Sequence, residues 1–316
     1  MTAYEFELIS GAKLPHLSVL VNDITFRNYH LHGAFEILLD LAGEGQVHLP
    51  SEALPVRTGS LLLINPNEAH EIEARGDHLI LLIFQVSRHF CRDYLPHLSS
   101  TRFLRHDLTA ADHAQAIKRT LLDASVLYLR EPPDFAYGFL SSTLRLFQLL
   151  TTDVPHETLS DRDRSALRKR VQRLNRILDY MESNYQAPIR LKDLADAEQL
   201  TETYVSHLFT EQLGVSFHTY LNNLRFERAV AILHNPAVSV SEAALQSGFS
   251  DPKYLNQMMR RRMGCSASGY RKGREGETDQ PVRSKPSLPL ERYLAREDAL
   301  RTLEAAREGP EISFHD

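Results

Sequence analysis

Four side chains within the first seventy residues have the types and spacing to hold a metal ion or orient a polar ligand. His30 and His32 are separated by one residue, which on a strand places both imidazoles on one face. Glu36 lies an even number of residues further on and can share that face. His70 follows the Asn65-Pro66-Asn67 turn, and on a neighbouring strand it would complete a set of three imidazoles and one carboxylate. That set suits Mn, Fe, Ni or Zn. The same groups can instead line a small-molecule pocket or satisfy one another as buried hydrogen-bonding partners. His106, His113, His156 and His234 stand alone. Nothing has the form of a Ser/His/Asp arrangement, a phosphate loop or a dinucleotide fingerprint, so no catalytic residue and no cofactor is assigned.

A second constellation lies in the other half of the chain. In Ile189–Phe209, Leu191, Leu194 and Ala195 form one apolar helix face and Leu200 packs in a turn. Thr201 caps a second helix carrying Val205, Leu208 and Phe209. A short helix, a tight turn and a longer helix form the layout whose second member enters the major groove of DNA. Thr203, Ser206 and His207 occupy the solvent side of that helix, and all three can hydrogen-bond to base edges.

The pattern returns about fifty residues later. Val240, Ala244 and Leu245 supply the first helix, Gly248-Phe249 the turn, and Asp251 the cap. Pro252 stands at the first helical position, where its missing N–H costs nothing. Lys253, Asn256 and Gln257 face outwards as base readers. Arg260, Arg261 and Arg262 are placed for phosphate. Between the units, Phe217–His234 reads as one helix about 27 Å long, close to the roughly 34 Å between successive major-groove faces. Charge divides accordingly. Residues 160–274 carry 18 Lys/Arg against 12 Asp/Glu, a net +6, and the remainder 18 against 29, a net −11. A basic half that meets phosphate and an acidic half with another task are implied.

The elements that must position these groups can also be read. Phe35–Leu41, Gln46–Leu49, Ser60–Ile64 and His78–Val86 have strand character. Gly43-Glu44-Gly45, Pro50, Gly59, Asn65-Pro66-Asn67 and Gly76-Asp77 punctuate them as turns. A small antiparallel barrel or sandwich follows. Ala110–Leu129 and Phe135–Leu150 have helical spacing and are separated by Pro132-Pro133. They serve either as dimerisation elements or as caps on the barrel. Thr151–Arg164 reads as a linker, and the tail ends in a helical stretch at Leu290–Ala306.

These residues resemble the AraC/XylS family. From about Arg173 to Arg271 the matching positions include Leu194-Ala195, Thr201, Tyr204-Val205, Leu208-Phe209, Gly214, Phe217, Tyr220, Leu224-Arg225, Glu227-Arg228-Ala229, Gly248-Phe249, Tyr254, Gly264 and Tyr270-Arg271. By that resemblance Thr203, Ser206 and His207 read bases for the first unit, and Pro252, Lys253, Asn256 and Gln257 for the second. Departures fall mostly in the second unit, where Ala243, Leu255, Met259 and Ala267 replace bulkier or stiffer residues of the family pattern. His30 to Gly43, and Gly59 to His70, resemble the two cupin motifs, the second in its regulator version.

The expected architecture is therefore multi-domain α and β, an N-terminal cupin-like β-barrel with trailing helices and a C-terminal all-α tandem helix-turn-helix. Residues 1–100 form the sensor, 101–155 a helical linker or dimerisation segment, and 165–273 the DNA-binding domain. The two reading units fall at about 190–211 and 239–263, with a tail at 274–316. The resemblance implies a sequence-specific transcription regulator, an activator by family tendency, with no enzymatic activity. A small sugar-like or metabolite effector would be held by His30, His32, Glu36 and His70. Double-stranded DNA is the expected macromolecular partner, a homodimer the expected state, and RNA polymerase a further candidate contact. A metal-dependent cupin enzyme with a vestigial DNA-binding domain is the alternative. No apolar run approaches the roughly 18 residues of a membrane span, and no secretion signal opens the chain. With two widely separated cysteines, Cys91 and Cys265, a cytoplasmic bacterial protein is expected.

Overall fold

The computed structural model describes residues 14–235, 237–274 and 290–308. The outermost residues of the expected sensor and most of the tail before Leu290 lie outside them. In chain order the strands are β1 (Leu17–Ile24), β2 (Phe26–His30), β3 (Ala34–His48), β4 (Ala53–Arg57), β5 (Leu61–Ile64), β6 (His70–Ser87), β7 (Thr101–Phe103), β8 (His156–Thr158) and β9 (Glu291–Tyr293). Seven of them build one antiparallel sheet in the order β4-β3-β6-β1-β9, with β2 also on β6 and β5 on β3. The small β7–β8 pair stands apart.

The glycine clusters read as turns do not end strands. β3 and β6 run through them, at 15 and 18 residues. The pairing of β3 with β6 instead shifts register between Asp40 and Ala42 and between Gly43 and Gly45. Gly43 has φ +103°, and a Cβ there would run into the His78 carbonyl. A side chain is thus excluded where the two long strands bend. The bends curl the sheet into a cupin-like half-barrel. Its outer face carries Val19, Phe35, Ile37, Leu82 and Phe84; its inner face carries Ile24, Leu38, Val47, Leu62, Ile72 and Ile83.

Helices cover the outer face. They are α1 (Arg88–Tyr94), α2 (Ala114–Arg130) and α3 (Phe135–Asp153). Phe139 packs on Phe84 and Tyr128 at 5.5 and 4.9 Å between ring centroids, and Phe147 on Phe35 at 5.5 Å. The apolar stripes of α2 and α3 are thus used within the sensor's own core. α3 leaves Tyr137 and Leu144, two turns apart, exposed.

The expected linker is mostly structured, because β8 pairs with β7 and a long helix starts at Asp161. The remaining helices are α4 (Asp161–Asn184), α5 (Leu191–Glu198), α6 (Glu202–Leu213), α7 (Phe217–Leu233), α8 (Val240–Gln246), α9 (Pro252–Met263), α10 (Ala267–Arg274) and α11 (Arg296–Glu308). Local chemistry sets their ends. Thr201 accepts from the Tyr204 N–H and Asp251 from the Lys253 N–H. Ser239 and Glu242 cap each other reciprocally. Gln199 ends α5 in the left-handed region at φ 56°.

The tail returns to the sensor. β9 pairs with β1, and α11 buries Ala299 and Leu303 in the core shared with α2. Leu290 lies in one apolar cluster with Phe26 of the sensor and the core of the second helix-turn-helix unit. The softened positions of that unit, Ala243, Leu255, Met259 and Ala267, are fully buried there. Residues from the sensor and the tail thus complete a core that the unit's own sequence leaves small.

Sensor and helical domain meet along β2 and the start of β6. Tyr29, Leu31 and Ala69 join the core of the first unit, and Phe26 packs edge-on against Phe226 of α7. The buried Glu227 of α7 accepts from the Asn28 backbone N–H. Burial pushes its carboxyl up to about 7, against the lowering effect of that hydrogen bond.

Two outcomes follow. Replacing Gln199 by Gly removes the Cβ strain of a left-handed residue and should raise stability by about 0.5–1 kcal/mol, read from the denaturant midpoint. The folded protein prefers Glu227 protonated, so this residue's contribution is complete below about pH 4.5 and is lost as pH rises towards 7. Glu227→Gln should match the parent near pH 4.5 and exceed it by about 2–3 kcal/mol near pH 8; parallel stability–pH curves would refute the assignment.

Candidate effector cup and nucleic-acid interface

The four residues singled out in the sensor do converge. His30 ends β2, His32 follows it, Glu36 lies near the start of β3, and His70 opens β6 directly opposite His30. All four are buried. The His30 and His70 rings are 4.1 Å apart, and those of His32 and His70 5.4 Å. His32 Nε2 lies 2.9 Å from Glu36 Oε2, and His70 Nε2 3.2 Å from Glu36 Oε1.

Gln85 completes the group. It pairs with Glu36 across β3 and β6 and donates its amide to Glu36 Oε2. Sequence reading missed it because its partner is 49 residues away and only strand register joins them.

Two rings have a defined tautomer. Nδ1 of His30 faces the Asn28 carbonyl at 2.9 Å, and Nδ1 of His70 faces the Glu68 carbonyl at 3.2 Å. A carbonyl only accepts, so each Nδ1 carries the proton; Nε2 of His30 is left for the cup, while Nε2 of His70 faces the Glu36 carboxylate. Burial, with Arg27 close by, pushes the His30 pKa well below the usual imidazole value. Burial alone would raise that of Glu36. Attraction to His32 and His70, with the hydrogen bonds they form, outweighs it and holds the carboxyl well below the usual range.

His30, His32 and His70 each offer a ligand atom, all within 4.8 Å of one another. This donor set fits a divalent transition ion. His32 Nδ1 and Gln85 Oε1 are buried with no hydrogen-bond partner among the described residues, capacity that a bound polar molecule could use.

In the helical domain the expected reading residues fall on two exposed surfaces. Thr203, Ser206 and His207 are exposed on α6, and Lys253, Gln257, Arg260 and Arg261 on α9. Pro252 is the first residue of α9 and is half-buried. Lys253, Asn256, Gln257 and Arg260 border a polar concavity of about 530 Å³ together with Ser266 and Ser268, two hydroxyls that sequence reading had not placed there.

Asn256 is used differently from the expectation. Its Oδ1 accepts from the Ala267 N–H at 3.0 Å and its amide donates to the Pro252 carbonyl at 3.3 Å, tying α9 to α10. Arg262, expected to face phosphate, is turned away from solvent. Its Nη1 lies 2.9 Å from Glu73 Oε1 on the sensor. Its side chain remains only 7% exposed. The first unit is braced by Glu198, which binds Arg176 through two nitrogens, and by Arg173, which donates to the Tyr204 hydroxyl.

No described helix is long and apolar enough to cross a membrane. Residues 21–150 match the family model of an AraC-like ligand binding domain, and residues 194–273 that of a helix-turn-helix domain. The HTH-type transcriptional activator RhaR of Mannheimia succiniciproducens is 24% identical over 251 residues, 77% of this chain and 86% of its own. The HTH-type transcriptional regulator YijO of Escherichia coli is 30% identical over 113 residues, 36% of this chain and 38% of that one.

Among solved structures, ToxT of Vibrio cholerae aligns over 81% of this chain and 97% of its own, at 14% identity and a TM-score of 0.44. The DNA-binding domain of AdpA, solved with a target DNA, aligns over 34% of this chain and 96% of its own, at 22% identity and a TM-score of 0.32. A ligand-binding model and a DNA-binding model are matched in order along one polypeptide, over residues that build the half-barrel and the paired helix-turn-helix units: the chain belongs to the AraC/XylS family of transcription regulators, with an N-terminal ligand-binding domain and a C-terminal DNA-binding domain.

Proposed function

We propose that this regulator reads two neighbouring major-groove segments of double-stranded DNA in response to a small polar effector held by His30, His32, Glu36 and His70. The observation that carries the proposal is the pair of exposed polar helix faces, on α6 and α9, joined by the single helix α7. At 17 residues α7 spans about 26 Å, which suits two heads addressing successive turns of one DNA face. Thr203, Ser206 and His207 read one segment. Lys253 and Gln257 read the other, with Arg260 and Arg261 on phosphate and Asn256 holding α9 against α10.

A homodimer joined through the exposed Tyr137 and Leu144 of α3 would double the recognised sequence. Activation through RNA polymerase accords with the relative RhaR, which bears the name of an activator. For the effector, a sugar-like molecule or another hydroxylated metabolite matches the unused hydrogen-bonding capacity of His32 and Gln85.

One observation favours a second reading of the cup: the convergence of three imidazoles on an ion-sized site. There His30, His32 and His70, with Glu36 beside them, would hold a divalent metal supplying a Lewis-acidic anchor for an effector oxygen. Metal analysis of the dialysed protein separates the two. About one equivalent of Mn, Fe, Ni or Zn, lost in His70→Ala, supports the metal; none in either protein supports direct binding by the side chains.

In-vitro selection of DNA followed by footprinting tests the DNA reading. Two short motifs about one helical turn apart are expected, and salt-sensitive binding without sequence preference would overturn the proposal. Lys253→Ala should weaken binding by about 1–3 kcal/mol and change only the second segment. His207→Ala should relax base preference at the first segment alone. Identical footprints from these two variants would contradict a two-headed reader.

A further inference from the structure

We infer that Arg262 is a positioning residue rather than a DNA contact, and that through it the sensor governs the second reading head separately from the first. The inference rests on the two-headed reading above and adds its regulation. Arg262 belongs to α9, the recognition helix of the second unit, yet its guanidinium is inserted into the sensor. Nη1 donates to Glu73 Oε1 at 2.9 Å and Nη2 to Asn223 Oδ1 of α7 at 3.0 Å. Glu71 Oε2 lies 3.8 Å from Nη2, and the Cζ atom sits 3.8 Å from the centre of the Phe26 ring.

Asn223 extends the connection, because its amide donates to Asn28 Oδ1 and to Glu71 Oε2, both at 3.1 Å. A planar cation with two carboxylates within 4 Å and an aromatic ring against it has a well-defined seat. Moving α9 away would leave the buried Glu71 and the half-buried Glu73 without their cation.

The two heads differ in this respect. The first unit meets the sensor through apolar packing and at Gly214, φ +71°, where a Cβ would come within 2.7 Å of Pro50 Cα. No side chain of α6 makes a hydrogen bond or ion pair with the sensor among the described residues. The second unit is tied through its own recognition helix and also takes Phe26 into its core. The base-reading side chains Thr203, Ser206, His207, Lys253 and Gln257 stay exposed while the tie is made. The docked arrangement is therefore compatible with DNA and holds the second head ready for it.

The tie also backs directly onto the cup. Beyond the register shift between Arg27 and His30, the residues around the His30–His70 pair divide between two faces. His30, His32 and His70 turn towards Glu36, while Tyr29, Leu31, Ala69 and Glu71 turn towards the helical domain. Glu71 follows His70 immediately, so a displacement of His70 by a bound effector reaches a partner of Arg262 and Asn223 through one peptide unit.

The test uses the full chain and DNA selected as above, with footprints and titrations of the parent, Glu71→Gln/Glu73→Gln, Arg262→Glu, and Arg262→Glu with Glu73→Arg. The glutamine pair lies on the sensor, away from DNA. It should abolish protection of the second segment, weaken binding to the full site about tenfold, and leave base preference at the first segment unchanged. Arg262→Glu should do the same, and the charge exchange should restore most of the loss. His70→Gln should alter second-segment protection in the parent and add nothing in the glutamine pair.

Circular dichroism and thermal melts of each variant establish that it is folded. Unchanged second-segment protection in the folded glutamine pair would overturn the inference. So would an Arg262→Ala variant that weakens every sequence alike while lowering the salt slope by about one, the signature of a phosphate contact. A parent that reads both segments while all variants also do so removes this inference alone. A parent that selects no sequence removes the two-headed reading along with it.

Discussion

A strand that is buried on both sides must send alternate residues into two different environments, and the rest of this molecule is arranged around one place where that happens. Strand β2 and the opening of β6 form a wall one residue thick. On one side it presents His30, His32 and His70 to Glu36; on the other it presents Tyr29, Leu31, Ala69 and Glu71 to the helical domain. Neither side can be repacked alone, because a one-residue slip would exchange imidazoles for apolar side chains. Ligand chemistry and interdomain contact therefore share a backbone.

The polar groups on both sides are secured by protein partners. In the cup, the attraction of His32 and His70 keeps Glu36 ionised despite complete burial. Across the wall, the Arg262 guanidinium meets Glu73 and Asn223, and Glu227 accepts from the Asn28 backbone. Isolated charges there would carry a penalty of several kcal/mol each. Each group is tolerable only while its neighbours hold position, and such interlocked networks tend to respond together.

The tail belongs to the same arrangement. Leu290 fills the second unit's core and accepts from the Thr25 N–H. Glu291 engages Asn22 and Arg27, β9 closes the free edge of β1, and α11 covers α2. A segment that follows the DNA-binding domain in sequence thus packs as part of the sensor, which ties the two halves together a second time.

Much of this was legible in the order of residues. Period two in His30–His32 and the helical spacing from Ile189 to Met263, with Thr201 and Asp251 as caps, are local patterns. They follow from backbone geometry within a few residues, so the sequence by itself determined the curled sheet, the paired helix-turn-helix units and four of the residues of the cup. Gly43-Glu44-Gly45 and Gly76-Asp77 were ambiguous, since a glycine permits a bulge as readily as a turn, and only pairing with a neighbouring strand chooses between them. Gln85 in the cup, Asn256 as a brace, Arg262 in the sensor and Leu290 in the second unit's core were decided by tertiary structure alone. Each depends on a partner between 11 and 264 residues away, and no local pattern of charge or hydropathy specifies which distant surface a long side chain will find.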